Sequence, residues 1–365
     1  MGTAFDPIAF LDEAVRIESH EDVTEMRTFL VETLADHGVE AHVDDAGNTI
    51  ATRGSGSPHV VLNTHIDTVP PHVPYERDDE AGIIRGRGSC DAKGPLAALL
   101  AGFLTADVDS DDGAGRVTLA ISPDEETLST GAAAMAFDDP DCFIVGEPTD
   151  LDVCTAAKGR FQGTITLTGE NAHAAEPDSG INTISAVRAV IDAIATFDER
   201  PDAPPVHPQL GGPTLTPTMV EGGTATNQVP ASTSIVVDRR SVPPETADGF
   251  HAALTEHLRE YVPSEVGVEF ALTDRDTPFL EAWDTDEDSA VVQALSEAAD
   301  AETRHFTAAT EASYFAKLAP TVVFGPGVLA DEDGAVAHSP QEYVRIAEVD
   351  RAAEAVTDAI ATLLS

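Results

Sequence analysis

The sequence predicts a two-domain α/β protein in which an α+β domain is inserted into the first domain. Short apolar runs alternate with helical segments over residues 1–157, a pattern typical of a mixed, largely parallel sheet flanked by helices. Over residues 158–273 the order becomes strand–helix–strand–strand–helix–strand, which is the ferredoxin-like pattern. Helices and an apolar strand return over residues 274–365. A chain of 365 residues is also long for one compact core.

The first segment begins with two helices. Asp6 and Pro7 supply an N-cap and a proline at the first helical position, and apolar residues then recur at helical spacing. A second helix is predicted over residues 23–36, with Gly38 as its C-capping residue. The elements that follow are predicted as strand 59–63, helix 94–104, strand 117–122, helix 132–137 and strand 142–145. In such a sheet, functional residues gather at the carboxyl ends of the strands.

The inserted segment begins with a strand of alternating apolar and polar residues at 160–167. Helix 183–196 follows, with apolar residues at helical spacing, and then a loop rich in proline and glycine from Arg200 to Pro217. The remaining elements of this segment are predicted as strands 214–220 and 232–237, helix 245–261 and strand 266–273. The final segment returns to helices from Asp288 onward and includes strand 321–324.

The charge of the chain limits its partners. With 20 Lys and Arg residues against 65 Asp and Glu residues, the formal net charge is −45. This charge repels nucleic acid and anionic membranes, so we expect neither as a partner. The acidic residues are dispersed along the chain, which favours adaptation to high salt over a partner-binding acidic surface. Acidic stretches such as residues 109–112 are typical of solvated loops.

The sequence shows no signal for export or membrane insertion. Its three cysteines, Cys90, Cys142 and Cys154, are too few for a disulfide framework and fit a reducing compartment. The N-terminus lacks the basic and apolar regions of a signal peptide, and no apolar run approaches the roughly 20 residues of a membrane span. We therefore expect a soluble, cytoplasmic protein.

Five residues of metal-ligating type are spread along nearly the whole chain, each in a distinctive local sequence. They are His65 in VVLNTHIDTVP, Asp91 in GRGSCDAKG, Glu126 in SPDEET, Glu147 in IVGEPTD and His338 in AHSPQEYV. Neutral imidazole and carboxylate oxygens bind zinc, and a bridging carboxylate can hold two ions together. The set therefore predicts a pair of zinc ions. Glu125 precedes one of these ligands and is placed where a general base is needed.

Each setting taken singly also has an ordinary structural explanation. His65 and Asp67 lie two apart at a strand end and share a face, so Asp67 could fix the tautomer of His65 or simply end the strand. Asp91 precedes a predicted helix and could be its N-cap, while Glu125 and Glu126 could form a solvated acidic run. The other two ligands could be surface residues. Five such settings in this order together favour the metal site.

In these five settings the chain resembles the di-zinc metallopeptidase and amidohydrolase family of acetylornithine deacetylase, succinyl-diaminopimelate desuccinylase, aminoacylase and the glutamate carboxypeptidases. The resemblance covers nearly the whole chain. It implies a zinc-exopeptidase-like catalytic domain formed by residues 1–157 and 274–365, interrupted by a lid and dimerisation domain at 158–273. It also implies two Zn²⁺ per subunit, for which Co²⁺ can substitute.

The resemblance assigns roles to the site residues. Asp91 would bridge the two ions, His65 and Glu147 would complete one site, and Glu126 and His338 would complete the other. Glu125 would then be the general base, and Asp67 would orient His65. The family also holds the peptide after its bridging aspartate in the cis form, so we expect a cis peptide between Asp91 and Ala92.

Three residues of the inserted domain resemble family positions as well. His173 in GENAHAAEP resembles the lid histidine that reaches the active site of the neighbouring subunit, so the resemblance implies a homodimer through the lid. Asn227 in GGTATNQVP and Arg240 in VVDRRSVP resemble substrate-binding positions, and arginine suits carboxylate recognition. Arg240 is preferred to Arg239 because it follows Asp238 in the family's Asp-x-Arg pattern. Ordinary exposed residues are the alternative for all three.

Two segments resemble acetylornithine deacetylase in particular. Residues 310–312 match its Thr-Glu-Ala segment, which makes Glu311 a candidate substrate-binding residue, and GPG at 325–327 precedes a similar ending. The implied reaction is deacetylation of N-acetylornithine or a related N-acyl diamino acid in amino-acid biosynthesis, by water that the metal activates. Alternatives are a desuccinylase and a dipeptidase or carboxypeptidase of the same family. A zinc-binding regulatory protein without catalysis is an alternative of a different class.

Overall fold

The computed structural model describes residues 4–108 and 115–365. The predicted loop at 109–112 lies outside the described residues. The chain falls into two compact units, one combining Met1–Ala156, Asp284–Phe306 and Thr310–Ser365, the other Ala157–Trp283 and Thr307–Ala309. Residues 274–283, assigned to the catalytic domain from the sequence, group with the second unit. There the N–H of Arg160 donates to the carbonyl of Leu280, and Phe279 packs against the core of that unit.

The helices and strands follow the predicted order, with additional short strands. The helices are α1 (Pro7–Ala14), α2 (Thr24–Asp36), α3 (Lys93–Thr105), α4 (Thr130–Ala134), α5 (Thr183–Thr196), α6 (Ala247–Tyr261), α7 (Ala290–Ala299), α8 (Ala312–Phe315) and α9 (Ile346–Leu363). The first ten strands are β1 (Ala41–Val43), β2 (Thr49–Gly54), β3 (His59–His65), β4 (Glu76–Asp78), β5 (Ile83–Arg85), β6 (Arg116–Ser122), β7 (Cys142–Gly146), β8 (Val153–Ala157), β9 (Gly159–Thr168) and β10 (Ala172–His173). The remaining strands are β11 (Thr214–Gly222), β12 (Gln228–Val229), β13 (Ser232–Ser241), β14 (Gly267–Leu272), β15 (Trp283–Asp284), β16 (Thr303–Phe306), β17 (Thr321–Phe324), β18 (Ala330–Asp331), β19 (Gly334–Ala335) and β20 (Tyr343–Arg345).

The first unit is built on a mixed sheet whose centre is parallel. In the described residues its strand order is β1-β2-β6-β3-β7-β17-β8-β15, with β16 also paired to β8. The central pairs β6–β3, β3–β7 and β7–β17 are parallel, whereas β1–β2, β2–β6 and β17–β8 are antiparallel. Every residue of β3 and β7 is buried, as expected for strands covered by helices on both faces. The predicted mixed, largely parallel sheet flanked by helices is confirmed.

Local sequence explains where the helices begin and end. The carboxylate of Asp6 accepts the N–H groups of Ile8 and Ala9, which is the predicted N-cap of α1. The predicted helix at 132–137 is wrong at both ends, because α4 begins at Thr130 and the backbone is extended at Met135. The carboxylate of Asp124 accepts the N–H groups of Thr130 and Gly131 and thereby fixes the first turn earlier in the chain.

The second unit has the ferredoxin-like strand order. Its antiparallel sheet runs β11-β13-β9-β14, and α5 and α6 pack together and contribute to one apolar core with this sheet. Along β9 buried residues alternate with exposed or partly exposed ones, as predicted for a half-buried strand, and β13 alternates between buried and mostly partly exposed residues. Strand β11 lies at the edge, and most of its residues are exposed. None of the helices in the described ranges is both long and apolar enough to cross a membrane.

Candidate metal centre

The carboxyl ends of adjacent strands bring the predicted ligands together in the first unit. Strand β3 ends at His65, β7 is followed directly by Glu147, and the loop after β6 carries Glu126. Because β6, β3 and β7 are neighbouring parallel strands, these ends meet at one edge of the sheet. Asp91 comes from the loop after β5, and His338 comes from the loop before β20. The structure therefore gathers all five predicted ligands in one place.

The five ligands form two groups that share Asp91. One group is His65, Asp91 and Glu147, and the other is Asp91, Glu126 and His338, with one ligand atom of each residue within 4.8 Å of the others. The Nε2 atom of His65 lies 3.3 Å from Oδ1 of Asp91, and Nε2 of His338 lies 3.1 Å from its Oδ2. Each oxygen of Asp91 thus faces a different group, which is the arrangement of a bridging carboxylate.

Hydrogen bonds to Asp67 fix the ring of His65. The Nδ1 atom of His65 lies 3.0 Å from the carbonyl oxygen of Asp67 and 3.3 Å from its carboxylate. Both partners are acceptors, so Nδ1 carries a proton, and Nε2 faces Oδ1 of Asp91. Burial opposes a charged ring, yet the hydrogen bonds with Asp67 and Asp91 raise the pKa of His65 well above its usual range. The surroundings of His65 therefore favour a positive charge at its ring.

Asp67 also holds the loop that carries the predicted base. Its two carboxylate oxygens accept the backbone N–H groups of Glu125 and Glu126, each at 3.0 Å. The carbonyl and carboxylate of Asp124 organise the rest of this loop by accepting N–H groups from residues 127–131. Asp67 therefore positions a histidine ligand, a glutamate ligand and the proposed base together. This second contact of Asp67 was not predicted from the sequence.

The side chains around the ligands concentrate negative charge. Burial and nearby carboxylates raise the pKa of Glu125 well above its usual range. Burial, with the charges of Asp91 and Glu126, raises the pKa of Glu147 to about 8, although His65 and the hydroxyl of Thr310 oppose this shift. Divalent cations would neutralise this charge, and the donor set of imidazole and carboxylate is one that zinc prefers. The residues present therefore fit a pair of metal ions.

Glu311 lies in the same acidic pocket but belongs to neither ligand group. It is 1 % exposed, and one of its carboxylate oxygens accepts a short hydrogen bond from the hydroxyl of Ser122. The other oxygen, Oε1, is buried without a hydrogen-bond partner. Burial, with the charges of Asp67 and Asp124, raises the pKa of Glu311 to about 8 against the opposing effects of Ser122 and His65. A buried acceptor without a partner is available to a donor on a bound molecule.

Two further residues of this site escaped sequence reasoning. Arg87 and Glu342 form a buried ion pair at 2.5 Å, and both contact the backbone of metal-ligand residues. Arg87 and Glu342 lie inside the local sequences that identified Asp91 and His338. A buried arginine is informative in a chain that has only 20 Lys and Arg residues. The peptide between Asp91 and Ala92 is cis, as the resemblance implied.

The remaining predicted site residues lie in the second unit. His173 in β10 pairs with Gln228 in β12, and the N–H of Ala174 donates to the carbonyl of Asn227, so His173 and Asn227 are neighbours. The Nδ1 atom of His173 accepts the N–H of Ala175 at 3.1 Å, which leaves the proton of a neutral ring on Nε2.

The two adjacent arginines of β13 have different surroundings. Arg239 is fully buried and donates to both carboxylate oxygens of Glu245 and to Asp198. The side chain of Arg240 is 43 % exposed, and its Nε donates to Asp238 at 2.8 Å. Arg239 is therefore committed to an internal ion pair, whereas the guanidinium of Arg240 can still reach a ligand.

Comparison with known proteins finds a matching family model and curated relatives that span most of the chain. A family model described as "Peptidase family M20/M25/M40" matches residues 61–362, which include all five ligands. A relative from Pyrobaculum aerophilum, named putative [LysW]-lysine/[LysW]-ornithine hydrolase, is 31% identical over 97% of this chain and 96% of its own length. The acetylornithine deacetylase of Proteus mirabilis is 28% identical over 83% of this chain and 79% of its own length.

Solved structures share the fold. Aminopeptidase PepT from Bacillus cereus superposes with a TM-score of 0.77 at 20% identity, covering 98% of each chain. The YXEP protein of Bacillus subtilis, described as a dinuclear metal-binding peptidase, superposes with a TM-score of 0.72 at 15% identity over 98% of this chain and 97% of its own. At these identities the likeness concerns the fold.

Proposed function

The chain belongs to peptidase family M20/M25/M40 and is a hydrolase of amide bonds, and from this premise we propose that it removes the acyl group of an N-acyl amino acid. The observation that carries the proposal is the position of Glu125. The same carboxylate, that of Asp67, binds the backbone of Glu125 and that of the neighbouring ligand Glu126. A carboxylate held beside two metal-ligand groups, but belonging to neither, has the position of a general base.

The proposed centre holds two Zn²⁺ ions per subunit, for which Co²⁺ can substitute. His65, Glu147 and Asp91 would hold one ion, and Glu126, His338 and Asp91 the other. When bound, the ions supply Lewis-acid polarisation of the scissile carbonyl and a water of lowered pKa.

Glu125 takes a proton from the attacking water and passes it to the amide nitrogen as the carbon–nitrogen bond breaks, so the products are a carboxylate and a free amine. A carboxylate in this position can hold the proton between the two transfers. Asp67 keeps His65 in the tautomer whose Nε2 faces the site.

For the substrate we propose N-acetylornithine or a related N-acyl diamino acid. The acetylornithine deacetylase relatives support this choice, as do residues 310–312 of the chain. Glu311 would accept a hydrogen bond from the substrate through its unpaired Oε1. Arg240, whose guanidinium is exposed, would bind a substrate carboxylate, with Asn227 as a further polar contact.

A second candidate is release of lysine or ornithine from a [LysW] conjugate, the substrate given in the name of the Pyrobaculum aerophilum relative. That relative matches 97% of this chain at 31% identity, more than the deacetylase of Proteus mirabilis at 28% identity over 83%. Both names contain ornithine, an amino acid with an amino group on its side chain. The two candidates therefore agree on the amine product and differ in the acyl group.

We further propose a homodimer formed through the second unit. Strand β11 leaves one edge of its sheet unpaired in the described chain, and four large apolar side chains on β11 and α5 are between 41% and 62% exposed: Ile184, Ile191, Met219 and Val220. An exposed edge strand beside an apolar patch favours pairing with a second copy. In that dimer His173 would serve the partner's active site, donating from Nε2 to the oxygen that gains charge during attack.

A substrate panel tests the proposed function. The protein, purified in molar KCl with two equivalents of Zn²⁺ or Co²⁺, would be incubated with N-acetylornithine, N-acetyllysine, N-succinyl-diaminopimelate, a dipeptide and the [LysW]-ornithine conjugate. Release of free amine identifies the acyl group, and Glu125→Gln serves as the inactive control. Hydrolysis of the dipeptide alone would replace the deacylase by a peptidase. Metal binding with no hydrolysis of any member would favour the regulatory alternative.

A further inference from the structure

A buried ion pair joins two distant parts of the first unit beneath the ligand groups. The guanidinium Nη1 of Arg87 donates to Oε2 of Glu342 at 2.5 Å, and the two side chains are 1% and 0% exposed. Arg87 follows β5, and Glu342 precedes β20, which pairs with β5 in an antiparallel ladder. The pair is therefore at the junction of the loops that carry Asp91 and His338.

Each partner of the pair also holds the backbone of one ligand. The other oxygen of Glu342, Oε1, accepts the N–H groups of Cys90 at 3.2 Å and Asp91 at 3.3 Å. Nη2 of Arg87 donates to the carbonyl oxygen of His338 at 3.3 Å. One ion pair thus connects the bridging carboxylate to the histidine of one ligand group.

The surrounding backbone keeps the pair itself in place. Nε of Arg87 donates to the carbonyl of Pro71 at 3.2 Å, and the backbone N–H of Arg87 donates to the carbonyl of Val73 at 3.0 Å. His338 has φ of +62°, a left-handed conformation that a residue other than glycine adopts only when its surroundings hold it there. The hydrogen bond from Arg87 to the carbonyl of His338 is such a constraint.

Stability alone does not account for this arrangement. Burying an arginine and a glutamate costs desolvation free energy, and apolar residues of similar volume often give an equally stable core. An apolar pair, however, could not donate to the carbonyl of His338 or accept from the N–H of Asp91. What the ion pair adds is a fixed distance between the two ligand-bearing loops.

We propose that Arg87 and Glu342 are positioning residues that set Asp91 and His338 at the separation which a metal ion requires. The inference rests on the metal centre of the proposed function, although it does not depend on which substrate is hydrolysed. Residues that orient metal ligands commonly change affinity by roughly 10–100-fold when they are replaced. The expected signature is therefore a loss of metal affinity that is largest in the group containing His338, because Asp91 is shared by both groups whereas His338 belongs to one.

Metal titration of four proteins in molar KCl tests the proposal: the wild type, Arg87→Lys, Glu342→Gln and Arg239→Lys. Arg87→Lys keeps the charge but loses the planar fork that reaches Glu342 and His338 together. Glu342→Gln keeps the shape and an acceptor oxygen, so it serves if the arginine variant folds poorly. Arg239→Lys is the matched control, because Arg239 forms an equally buried ion pair with Glu245 in the second unit. Co²⁺ absorption and chelator competition give the affinity of each site, and circular dichroism gives the folded fraction.

We expect Arg87→Lys to weaken metal binding at one site by roughly 10–100-fold. Glu342→Gln should weaken metal binding at that site less. Arg239→Lys should lower stability while both metal affinities stay unchanged. Unchanged affinities in Arg87→Lys and Glu342→Gln, with only a loss of stability as in Arg239→Lys, would overturn the proposal. If the wild type binds two ions but hydrolyses no N-acyl amino acid, the proposed function fails, whereas the expected affinity losses would still support the positioning role.

Discussion

The carboxylate of Asp67 accepts the backbone N–H of Glu125 at 3.0 Å. Through this bond the residue that fixes the histidine ligand of one metal group also fixes the proposed base. The second oxygen of the same carboxylate binds the N–H of Glu126, a ligand of the other group. Asp67 therefore ties together the ends of β3 and β6, and its replacement affects more than the orientation of His65.

We expect Asp67→Asn to lower both metal affinity and turnover. An asparagine can accept one of the two N–H groups through its amide oxygen, but its NH₂ group faces the second donor and cannot accept from it. Loss of one such contact commonly costs roughly 10–100-fold in metal affinity or activity. Isothermal titration with Zn²⁺ and steady-state kinetics measure the two effects. If turnover falls while both affinities remain at the wild-type value, Asp67 does not act on Glu126.

Glu125 and Glu126 are adjacent, and exchanging each for glutamine separates their roles. Glu125→Gln should lower kcat by about 10²–10⁴-fold, because the amide cannot take a proton from water, while two metal ions stay bound. Glu126→Gln should instead weaken one ion and leave the other. Metal content after dialysis and initial rates distinguish the two variants. Turnover near the wild-type value in Glu125→Gln would remove the proposed base.

Glu311 predicts a pH dependence of stability in protein treated with a chelator. Its pKa rises from 4.5 to about 8 on folding, with burial as the largest cause, so between these values the folded state holds a proton that the unfolded state has lost. This contribution to stability is present at low pH and is lost as the pH rises toward 8, at up to about 1.4 kcal/mol per pH unit. Denaturant unfolding at pH 5 to 8 should show a shallower slope for Glu311→Gln. Identical slopes would show that Glu311 does not titrate in this range.

The proposed dimer predicts complementation between two inactive variants. His173→Ala lacks the residue proposed to act in the partner's site, and Glu125→Gln lacks the base. In a mixed dimer one of the two sites has both residues intact, so unfolding and refolding an equal mixture should recover about a quarter of the wild-type activity. The recovered rate is measured against each variant refolded alone. A mixture that stays inactive although it forms mixed dimers would mean that His173 does not serve the partner.

The gathering of three candidate ligands was predictable, because His65, Glu126 and Glu147 lie at or shortly after the ends of neighbouring strands. His65 ends β3 and Glu147 follows β7, as the alternation of strands and helices indicated. The contacts of Arg87 with Glu342 and His338 were not predictable, because they join residues about 250 positions apart and depend on the pairing of β5 with β20. The early start of α4 was missed for a related reason, since a side chain six residues upstream caps it.

The acidic surface predicts that stability depends on salt. On α9, Asp350, Glu354 and Asp358 are exposed and spaced four residues apart, so like charges lie one turn from each other. Burial raises the pKa of Asp350, and the charges of Asp6 and Glu354 raise it further. With a net charge of −45, such repulsion acts over about 30 Å at 0.01 M salt but only about 3 Å at 1 M.

We therefore expect fold and dimer to be lost in dilute buffer and at least partly restored by molar KCl or NaCl. Zn²⁺ should stabilise the protein by more than its contribution to the ionic strength explains, because only the folded first unit gathers the five ligands. Thermal unfolding across a salt series, with and without Zn²⁺, measures both effects, and Glu354→Gln should reduce the salt dependence by removing one charge from the row on α9. A Tm that does not change with salt would contradict adaptation to high salt and would favour an acidic surface that binds a partner.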